Sequence, residues 1–281
     1  MRFSRRKDAA RVTAAPPVAM RGSEEDRDKM IKLEVADYIA VVTLDNPPVN
    51  AQSMEMIHGL ADAFDQINDR EDVRVAVLTG EGKCFSAGAD LKNRQDTSAP
   101  GATWKRNRAV RESSYAIIEC NKPVIASVNG PALGGGLGLV ASCDIIVASE
   151  NAVFGLPEVD VGLMGGGKHA ARILPHSMVR RMMLTGWRAP AAELYRRGII
   201  EACLPSEELM PWVMDMAKTI ASKSPMATRL AKDSMRTIEN MTLRDGYRYE
   251  QNNTFALSKT EDSKEAIAAF KEKRQPVFKG R

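Results

Sequence analysis

The chain has 281 residues, of which 44% are hydrophobic and 27% charged, a composition typical of a globular protein with a sizeable core. Its formal net charge is +4, and residues 1–30 contribute most of this, because they carry eight Lys/Arg and five Asp/Glu. The remainder is nearly neutral, which argues against a protein whose whole surface attracts nucleic acid or an anionic membrane. No apolar run reaches the roughly 18 residues that a membrane span needs.

The four cysteines form no CxxC pair, and they lie in apolar or turn contexts. This pattern predicts reduced, mostly buried thiols in a cytosol-like compartment, and it argues against a zinc site or a disulfide framework. The cysteines are Cys84, Cys120, Cys143 and Cys203.

Residues 1–30 are rich in arginine and lack the apolar segment of a secretory signal. Asp8 and the acidic run at 23–28 favour a disordered extension. A mitochondrial transit peptide is the alternative, which would move the predicted location from the cytoplasm to the mitochondrial matrix.

Ordered structure is predicted from Ile31 onward, with strands at 31–35 and 38–44 that are rich in β-branched residues. Ser53 is a suitable N-cap for a helix through Arg70, whose apolar residues recur at helical spacing. The next predicted strand, 73–79, is almost continuously apolar, which indicates burial on both faces.

The segment FSAGADLK (residues 85–92) follows that strand, and it is interpreted as a turn from which a helix begins at Asp90. Residues 93–102 are predicted to form a mobile loop, and a basic helix is predicted from Thr103 to about Cys120. The basic part of that helix, 104–111, could contact phosphates or RNA, although a solvated charged face is the usual explanation.

The central stretch, 123–158, predicts a buried strand at 124–128, a glycine-led helix from Gly135 to Cys143 and a second strand at 144–148. The remaining chain is predicted to be helical except for a short strand at 199–204. The further predicted helices are 165–174, 177–186, 190–197 and four segments between 207 and 281. Strands and helices thus alternate in a core of residues 31–205, and a helical region, 206–281, either covers the core or packs against another subunit.

The glycines Gly134, Gly135 and Gly136 lie after a strand and at a predicted helix start, where an unpaired backbone N–H can bind a developing negative charge. Glu158, which follows Pro157, is a natural acid/base beside such a donor. Tight packing of a helix on a sheet would also require small residues at these positions. In FSAGADLK a second backbone N–H can be presented, and two donors are the minimum for an oxyanion hole.

A dinucleotide-binding fingerprint is a competing interpretation, because Gly136, Gly138 and Ala141 fit its spacing and Glu158 lies 20 residues beyond Gly138. Five residues separate the strand from the first glycine, however, whereas that fingerprint places its glycines directly after the strand. The acid should also end the next strand, and Glu158 lies well past it. Both features argue against a dinucleotide site.

The segments FSAGADLK, KPVIASVNGPALGGGLGLVASCDIIVAS, FGLPEVDVGLMGGG and AIAAFKEKRQPVFKGR resemble, in order and spacing, the crotonase superfamily of enoyl-CoA hydratases and isomerases. The resemblance runs from about Ile31 to Arg281. It implies an α/β fold, a ClpP-like spiral of repeated ββα units with a helical C-terminal trimerisation region. It also implies a homotrimer, or a hexamer formed as a dimer of trimers, with no cofactor, since an acyl-CoA thioester is itself the substrate.

The resemblance assigns the two oxyanion-hole amides to Ala89 and Gly135, and it assigns the acid/base to Glu158. The substrate-binding residues that it implies, in the CoA groove and around the thioester, are Ala87, Ala89, Asp90, Leu91, Lys92, Gly135 and Gly138. The terminal Lys/Arg cluster resembles the part of the family that closes over the CoA phosphates. No nucleic acid partner and no membrane partner is expected.

One position departs from the family pattern. Hydratases of this family carry a second glutamate four residues into the glycine-led helix, and this chain has Gly138 there. Dienoyl isomerases use acids at the Gly138 position and eight residues past Glu158, where this chain has Gly166. A single carboxylate suffices to move a double bond, so the sequence favours enoyl-CoA isomerisation.

Hydration of a 2-enoyl-CoA is the alternative activity. A binding protein for acyl-CoA or RNA with little turnover is the alternative from another class. Gly138 could also simply enlarge the acyl pocket.

Four further titratable residues are weaker candidates. Asp160 is expected to face away from the site or to form a structural pair, and Asp144 and Asp90 are interpreted as structural or as CoA contacts. His169 could border the pocket, but a surface or core role is the more usual one for an isolated histidine.

Overall fold

The computed structural model describes residues 30–92 and 98–281. The predicted extension therefore lies outside the described residues, except for Met30, as do residues 93–97 of the predicted loop. No helix in the described part of the chain is long and apolar enough to cross a membrane.

The main sheet has six strands in the order β1-β2-β3-β4-β6-β9. Only β1 and β2 pair in an antiparallel manner, and every other neighbouring pair is parallel. The strands of this sheet are β1 (Ile31–Ala36), β2 (Ile39–Leu44), β3 (Val75–Gly80), β4 (Val124–Val128), β6 (Ile145–Ser149) and β9 (Ala202–Leu204). Each lies within a residue or two of its predicted position except β9, whose first residue lies three positions later than predicted.

A second sheet of three short strands has the order β5-β7-β8. Its strands are β5 (Ala132–Leu133), β7 (Val153–Gly155) and β8 (Arg188–Pro190). Strand β5 pairs with β7 in parallel, and β7 pairs with β8 in an antiparallel manner. The sequence analysis did not predict these strands, because two or three residues are too few to show an alternating pattern.

Ten α-helices and one 3₁₀ turn, at Pro157–Val161, are found in the described ranges. The helices are α1 (Met54–Asp69), α2 (Ala102–Ile118), α3 (Gly135–Val140), α4 (Gly167–Ala170), α5 (His176–Thr185), α6 (Ala191–Arg196), α7 (Ser206–Ala221), α8 (Pro225–Ile238), α9 (Leu243–Leu257) and α10 (Glu261–Glu272). The predicted cap of α1 is confirmed, because the Ser53 side chain accepts a hydrogen bond from Met56 N.

The main sheet is buried on both faces, as the apolar run in β3 predicts. Alternate residues of β3 point into different apolar clusters, Ala76 and Leu78 into the larger and Val75 and Val77 into the smaller. Helix α1 closes the larger cluster, and α7 closes the smaller one through its buried face. At least α7 of the helical C-terminal region therefore covers the open face of the core. The division of the chain into a core, 31–205, and a helical region, 206–281, stays a prediction.

Helix α8 is attached to the core by a buried lysine. Lys232 is 4% exposed, and its Nζ lies 2.9 Å from Asp144 Oδ2. The same Nζ donates hydrogen bonds to the carbonyl oxygens of Ile117 and Lys122. Asp144 Oδ2 also accepts a hydrogen bond from Val124 N, so this pair joins the start of β4 to α2 and α8.

Three predicted helices differ clearly from the structure. The one predicted at 165–174 is shortened to α4, Gly167–Ala170. Helix α3 ends at Val140, three residues before the predicted end, because the amides of Ser142 and Cys143 bond to carbonyls three residues back and tighten the chain. The prediction that a helix begins at Asp90 is wrong, since residues 90–92 form a bend and a turn. Asp90 N instead donates to Gln52 O, which holds this backbone extended.

Candidate active site

The FSAGADLK segment runs beside the strand that leads into the glycine trio. Ser86 N donates to Pro131 O at 3.1 Å, and Leu133 N donates to Ser86 O at 2.9 Å. These bonds form a parallel bridge, so both segments reach their turns at the same edge. The glycines that follow each segment are therefore brought together.

Gly88 contacts the glycine trio directly. Its φ is +87°, and a Cβ added there would lie 2.7 Å from Leu133 O and 2.9 Å from Gly135 N. Both the backbone conformation and this close approach require glycine. Because Ala89 follows Gly88, the peptide amides of Ala89 and Gly135 lie next to each other.

The two amides are free to bind a ligand. Gln52 pairs with the main chain on both sides of Ala89, so the Ala89 N–H points away from Gln52, toward the glycine trio. Gly135 is the first residue of α3, where an amide has no partner inside the helix. Within residues 30–92 and 98–281, neither amide has an acceptor, and Ala89 is exposed.

Glu158 is placed against the same glycines by a tight turn. It lies in the 3₁₀ turn after β7, and its carbonyl accepts a hydrogen bond from Leu163 N at 2.9 Å. A Cβ on Gly134 would lie 3.0 Å from Glu158 Oε1 and 3.4 Å from its Cδ. The carboxyl therefore contacts the residue that precedes the Gly135 amide.

The environment of Glu158 favours its protonated form. Burial raises the pKa of this carboxyl above its ordinary value of 4.5, and a backbone hydrogen bond opposes the rise only in part. No cation and no side-chain hydrogen-bond donor is paired with the carboxylate in the part of the chain that the structure describes. A half-buried carboxyl of this kind can both accept and return a proton.

Gly138 leaves an unfilled space one turn further along α3. The residue is buried, yet a Cβ placed on it would meet no atom within 4 Å. Gly138 N donates to Gly134 O at 3.1 Å, so both glycines lie on the same side of the helix. Gly166 differs, because its φ is +70° and a Cβ there would lie 2.7 Å from Leu156 Cδ2.

The residues predicted to line the CoA groove continue from the same strand end. Ala87 is partly buried and donates its N–H to Val49 O, whereas Leu91 and Lys92 are exposed. Asp90 Oδ1 accepts a hydrogen bond from Lys92 N at 3.0 Å, which closes the turn. These residues form an open rim next to Ala89.

The weaker candidates do not join the cluster of Ala89, Gly135 and Glu158. Asp160 is exposed and its Oδ2 lies 3.9 Å from Arg188 Nη2, and Asp144 is paired with the buried Lys232. His169 is partly buried, and burial together with the neighbouring Arg172 lowers its pKa. No contact between these side chains and Glu158 is found over the described ranges.

Two predicted basic elements are largely solvated or already paired. In α2 the residues 104–111 are mostly exposed, and Trp104 is 75% exposed. In the terminal cluster Arg274 forms ion pairs with Glu265 and Glu272, each at 2.6 Å. The charge of Arg274 is therefore locally compensated.

The described cysteines are all free, and Cys203 alone of the four is not fully buried. No group of three or more His, Cys, Asp or Glu residues in the described ranges is arranged to hold a metal ion.

Gln52 is a site residue that the sequence does not reveal. The structure places its carboxamide against Gly135, where a Cβ would overlap Gln52 Oε1. No motif in the sequence indicates this contact, because Gln52 lies in a loop before α1, and only the fold brings it to the glycine trio.

Comparison with known proteins identifies the family of this chain. Residues 34–281 match the family profile described as enoyl-CoA hydratase/isomerase. The chain is 39% identical over 240 residues to a (7aS)-7a-methyl-1,5-dioxo-2,3,5,6,7,7a-hexahydro-1H-indene-carboxyl-CoA hydrolase of Rhodococcus jostii (strain RHA1), which covers 85% of this chain and 93% of that protein. It is 37% identical over 251 residues to a carnitinyl-CoA dehydratase of Salmonella choleraesuis (strain SC-B67), which covers 86% of this chain and 95% of that protein.

Solved structures have the same fold. An enoyl-CoA hydratase from Bacillus anthracis superposes with a TM-score of 0.85 at 31% identity, covering 90% of this chain and 100% of that one. A human enoyl-coenzyme A hydratase domain-containing protein 3 gives a TM-score of 0.84 at 31% identity, covering 89% and 100%. The predicted fold class is confirmed, and the chain belongs to the enoyl-CoA hydratase/isomerase family of the crotonase superfamily.

Proposed function

We propose that this acyl-CoA enzyme isomerises the double bond of an enoyl-CoA with Glu158 as the single acid/base. The observation that carries the proposal is a half-buried carboxyl, without a paired cation, that lies against two adjacent free amides. The space beside it at Gly138 holds no second carboxylate.

The proposed reaction uses the amides of Ala89 and Gly135 to hold the thioester oxygen. Their N–H groups stabilise the negative charge that develops when Glu158 removes a proton from the α carbon of a 3-enoyl-CoA. The electron pair moves through the conjugated dienolate, and the protonated Glu158 returns the proton to the γ carbon. No atom is gained or lost, so one carboxyl completes the cycle.

Hydration remains the alternative within the family, and it lacks one expected anchor. A water that attacks the β carbon is normally held by two carboxylates in hydratases of this family, and here Gly138 offers none. The dienoyl isomerase reaction is opposed by Gly166, because an acid at that position would overlap Leu156 and require an unfavourable backbone conformation.

A hydrolase acting on a bulky cyclic acyl-CoA is a second candidate function. The 39% identity with the hydrolase from Rhodococcus jostii favours it, and so does the unfilled space at Gly138. If a ring ketone lies β to the thioester, water can add to that ketone and the ring carbon–carbon bond can break. The bonding electrons then form a thioester enolate that the two amides would hold, and Glu158 would protonate it.

We further propose that the protein forms a homotrimer, or a hexamer as a dimer of trimers, through its C-terminal helices. Large apolar side chains are exposed there, with Leu243 90%, Phe255 64% and Phe270 86% exposed. Helices α8 and α9 also form a groove of about 830 Å³. Light scattering should give three or six times the chain mass, and a monomer at micromolar concentration would contradict the proposal.

The remaining proposals concern partners and location. We propose a cytoplasmic enzyme, which the free thiols and the bacterial relatives support. The matrix alternative predicts that residues 1–30 are removed in cells, which N-terminal sequencing would detect. The non-enzymatic alternative predicts saturable acyl-CoA or RNA binding without any product.

One experiment distinguishes these activities. The protein is incubated with 2-enoyl-CoA, 3-enoyl-CoA or a bicyclic β-keto acyl-CoA in deuterated water, and the products are analysed by mass spectrometry. Isomerisation predicts a shifted double bond without added water, and deuterium enters the product only to the extent that the proton on Glu158 exchanges with solvent before its return. Addition of water to the 2-enoyl-CoA would support hydration, ring opening would support the hydrolase, and binding without product would support the non-enzymatic alternative.

A further inference from the structure

Gln52 touches both of the residues that supply the proposed oxyanion-hole amides. Its main chain flanks Ala89, because Gln52 N donates to Gly88 O at 2.8 Å and Asp90 N donates to Gln52 O at 3.2 Å. These two bonds fix the direction in which the Ala89 N–H points.

The side chain of Gln52 crosses to the other amide. Measured from the position that a Cβ of Gly135 would occupy, the Cδ of Gln52 lies at 3.1 Å and its Nε2 at 3.4 Å, and Oε1 lies closer still. The carboxamide therefore packs against the Cα of Gly135, in space that exists only because this residue is glycine.

A buried hydroxyl holds the carboxamide in this orientation. Gln52 Nε2 lies 3.5 Å from Ser86 Oγ, and Ser86 is fully buried. The same Oγ accepts a hydrogen bond from Gly88 N at 3.3 Å and donates one to Asn50 O at 2.8 Å. The network connects Gln52 to the strand that carries Ala89.

We propose that Gln52 is a positioning residue that fixes the separation and direction of the Ala89 and Gly135 amides. One residue restrains both amides, with its main chain at Ala89 and its side chain at Gly135. Its carboxamide is neutral, and a carboxylate in the same place would oppose the negative charge that the hole must accept. This inference rests on the proposed oxyanion hole and deepens it.

The direct test measures polarisation of the bound carbonyl, independently of any turnover. A saturated acyl-CoA labelled with ¹³C at the thioester carbonyl is bound to the protein, and its stretching frequency is recorded by difference infrared spectroscopy. Wild-type protein should lower the frequency relative to free acyl-CoA. The matched substitution Gln52→Met, which keeps the side-chain length, should remove at least about half of this shift, because misaligned amides polarise the carbonyl less.

A second measurement uses deuterium exchange at the α carbon. Gln52→Met should lower kcat about tenfold while leaving KM nearly unchanged, since loss of a complete oxyanion-hole donor costs about 10²–10³-fold. The isosteric Gln52→Glu should lower kcat by about 100-fold once its carboxyl is ionised, because of repulsion over a few ångströms in a partly buried site. The ratio of variant to wild-type kcat should recover as the pH falls and this carboxyl becomes neutral.

The controls are Gln66→Met and Gln66→Glu, at an exposed glutamine on α1. They should change neither the carbonyl shift nor kcat. Suppose that wild-type protein shifts the carbonyl frequency, that both Gln52 variants retain this shift, and that the ratio of variant to wild-type kcat does not change with pH. The positioning role is then refuted and the proposed hole stands. If wild-type protein binds acyl-CoA with no shift at all, the proposed hole is refuted together with the role of Gln52.

Discussion

Gly138→Glu tests whether the missing second carboxylate determines the reaction. Gly138 lies in α3, it has no positive φ, and a Cβ placed on it would meet no atom within 4 Å. A glutamate therefore fits without displacing a neighbour at its first side-chain atom. Glu158 lies 3.0 Å from the corresponding Cβ position on Gly134, one helical turn away, so the two carboxyls can hold one water between them.

The expected gain in hydration can be worked from these contacts. A positioned general acid or base contributes about 10²–10⁴-fold to a rate, and we expect the lower end because the second carboxyl is not held by partners of its own. A 10²-fold gain is about 2.7 kcal/mol of barrier. Replacing glycine in a helix stabilises the fold by up to about 1 kcal/mol, which offsets part of the cost of burying a second carboxyl.

The assay is hydration of a 2-enoyl-CoA in ¹⁸O-labelled water, followed by mass spectrometry. Gly138→Gln is the control of equal size without a charge, and Gly138→Ala reports the effect of filling the space alone. Gly138→Glu should hydrate about 10²-fold faster than Gly138→Gln. If it folds, binds the substrate and hydrates no faster than the glutamine variant, the Gly138 space does not face the reacting carbon.

Three further predictions concern the carboxyl, the glycine turn and the buried lysine. Glu158→Gln should slow α-proton exchange by about 10²–10⁴-fold. The same variant should raise Tm near neutral pH. Because the pKa of Glu158 is raised in the folded state, ionisation of this carboxyl makes the wild-type protein less stable as the pH rises above 4.5. The Tm difference should vanish in acid, where Glu158 is protonated and neutral, like glutamine. Gly88→Ala should slow exchange and lower Tm, since its Cβ would overlap Leu133 O and Gly135 N, whereas unchanged exchange would contradict the proposed hole. Lys232→Met should cost about 1–3 kcal/mol in urea unfolding, because it leaves the carbonyl oxygens of Ile117 and Lys122 without their donor. Lys218→Met, at an exposed lysine, should cost less than about 1 kcal/mol, and equal losses for the two lysine variants would contradict the role of the buried lysine.

The sequence predicts those parts of the fold whose causes are local. The Ser53 cap, the apolar pattern of α1 and the continuous burial of β3 each follow from neighbouring residues. Gly135 and Glu158 stand out from the residues themselves, whereas Ala89 and the CoA-groove residues are assigned through the resemblance, because the family motifs carry their spacing. Contact between their backbones depends on a parallel bridge between Ser86 and Ala132, which no local pattern shows.

The sequence could not predict features that arise from pairing between distant segments. The prediction of a helix at Asp90 was wrong because a bond to Gln52, distant in sequence, holds that backbone extended. The contact of Gln52 with Gly135 joins residues 83 positions apart, and only the assembled sheet produces it. The strands β5, β7 and β8 are likewise too short to be seen except through the pairs that they form.

The single carboxyl also explains why proton transfer suits this site better than addition of water. Two neighbouring carboxylates repel each other, so that one stays protonated and acts as the acid while the other acts as the base. With glycine at position 138 that division is absent, and the raised pKa of Glu158 has burial as its main cause. One group must then serve as base and afterwards as acid, and it can do so only if the base step leaves it protonated for the acid step. Moving a double bond from the β,γ to the α,β position meets this condition, because the carboxyl needs only to transfer a proton from the α to the γ carbon of an enolate that the two amides hold still.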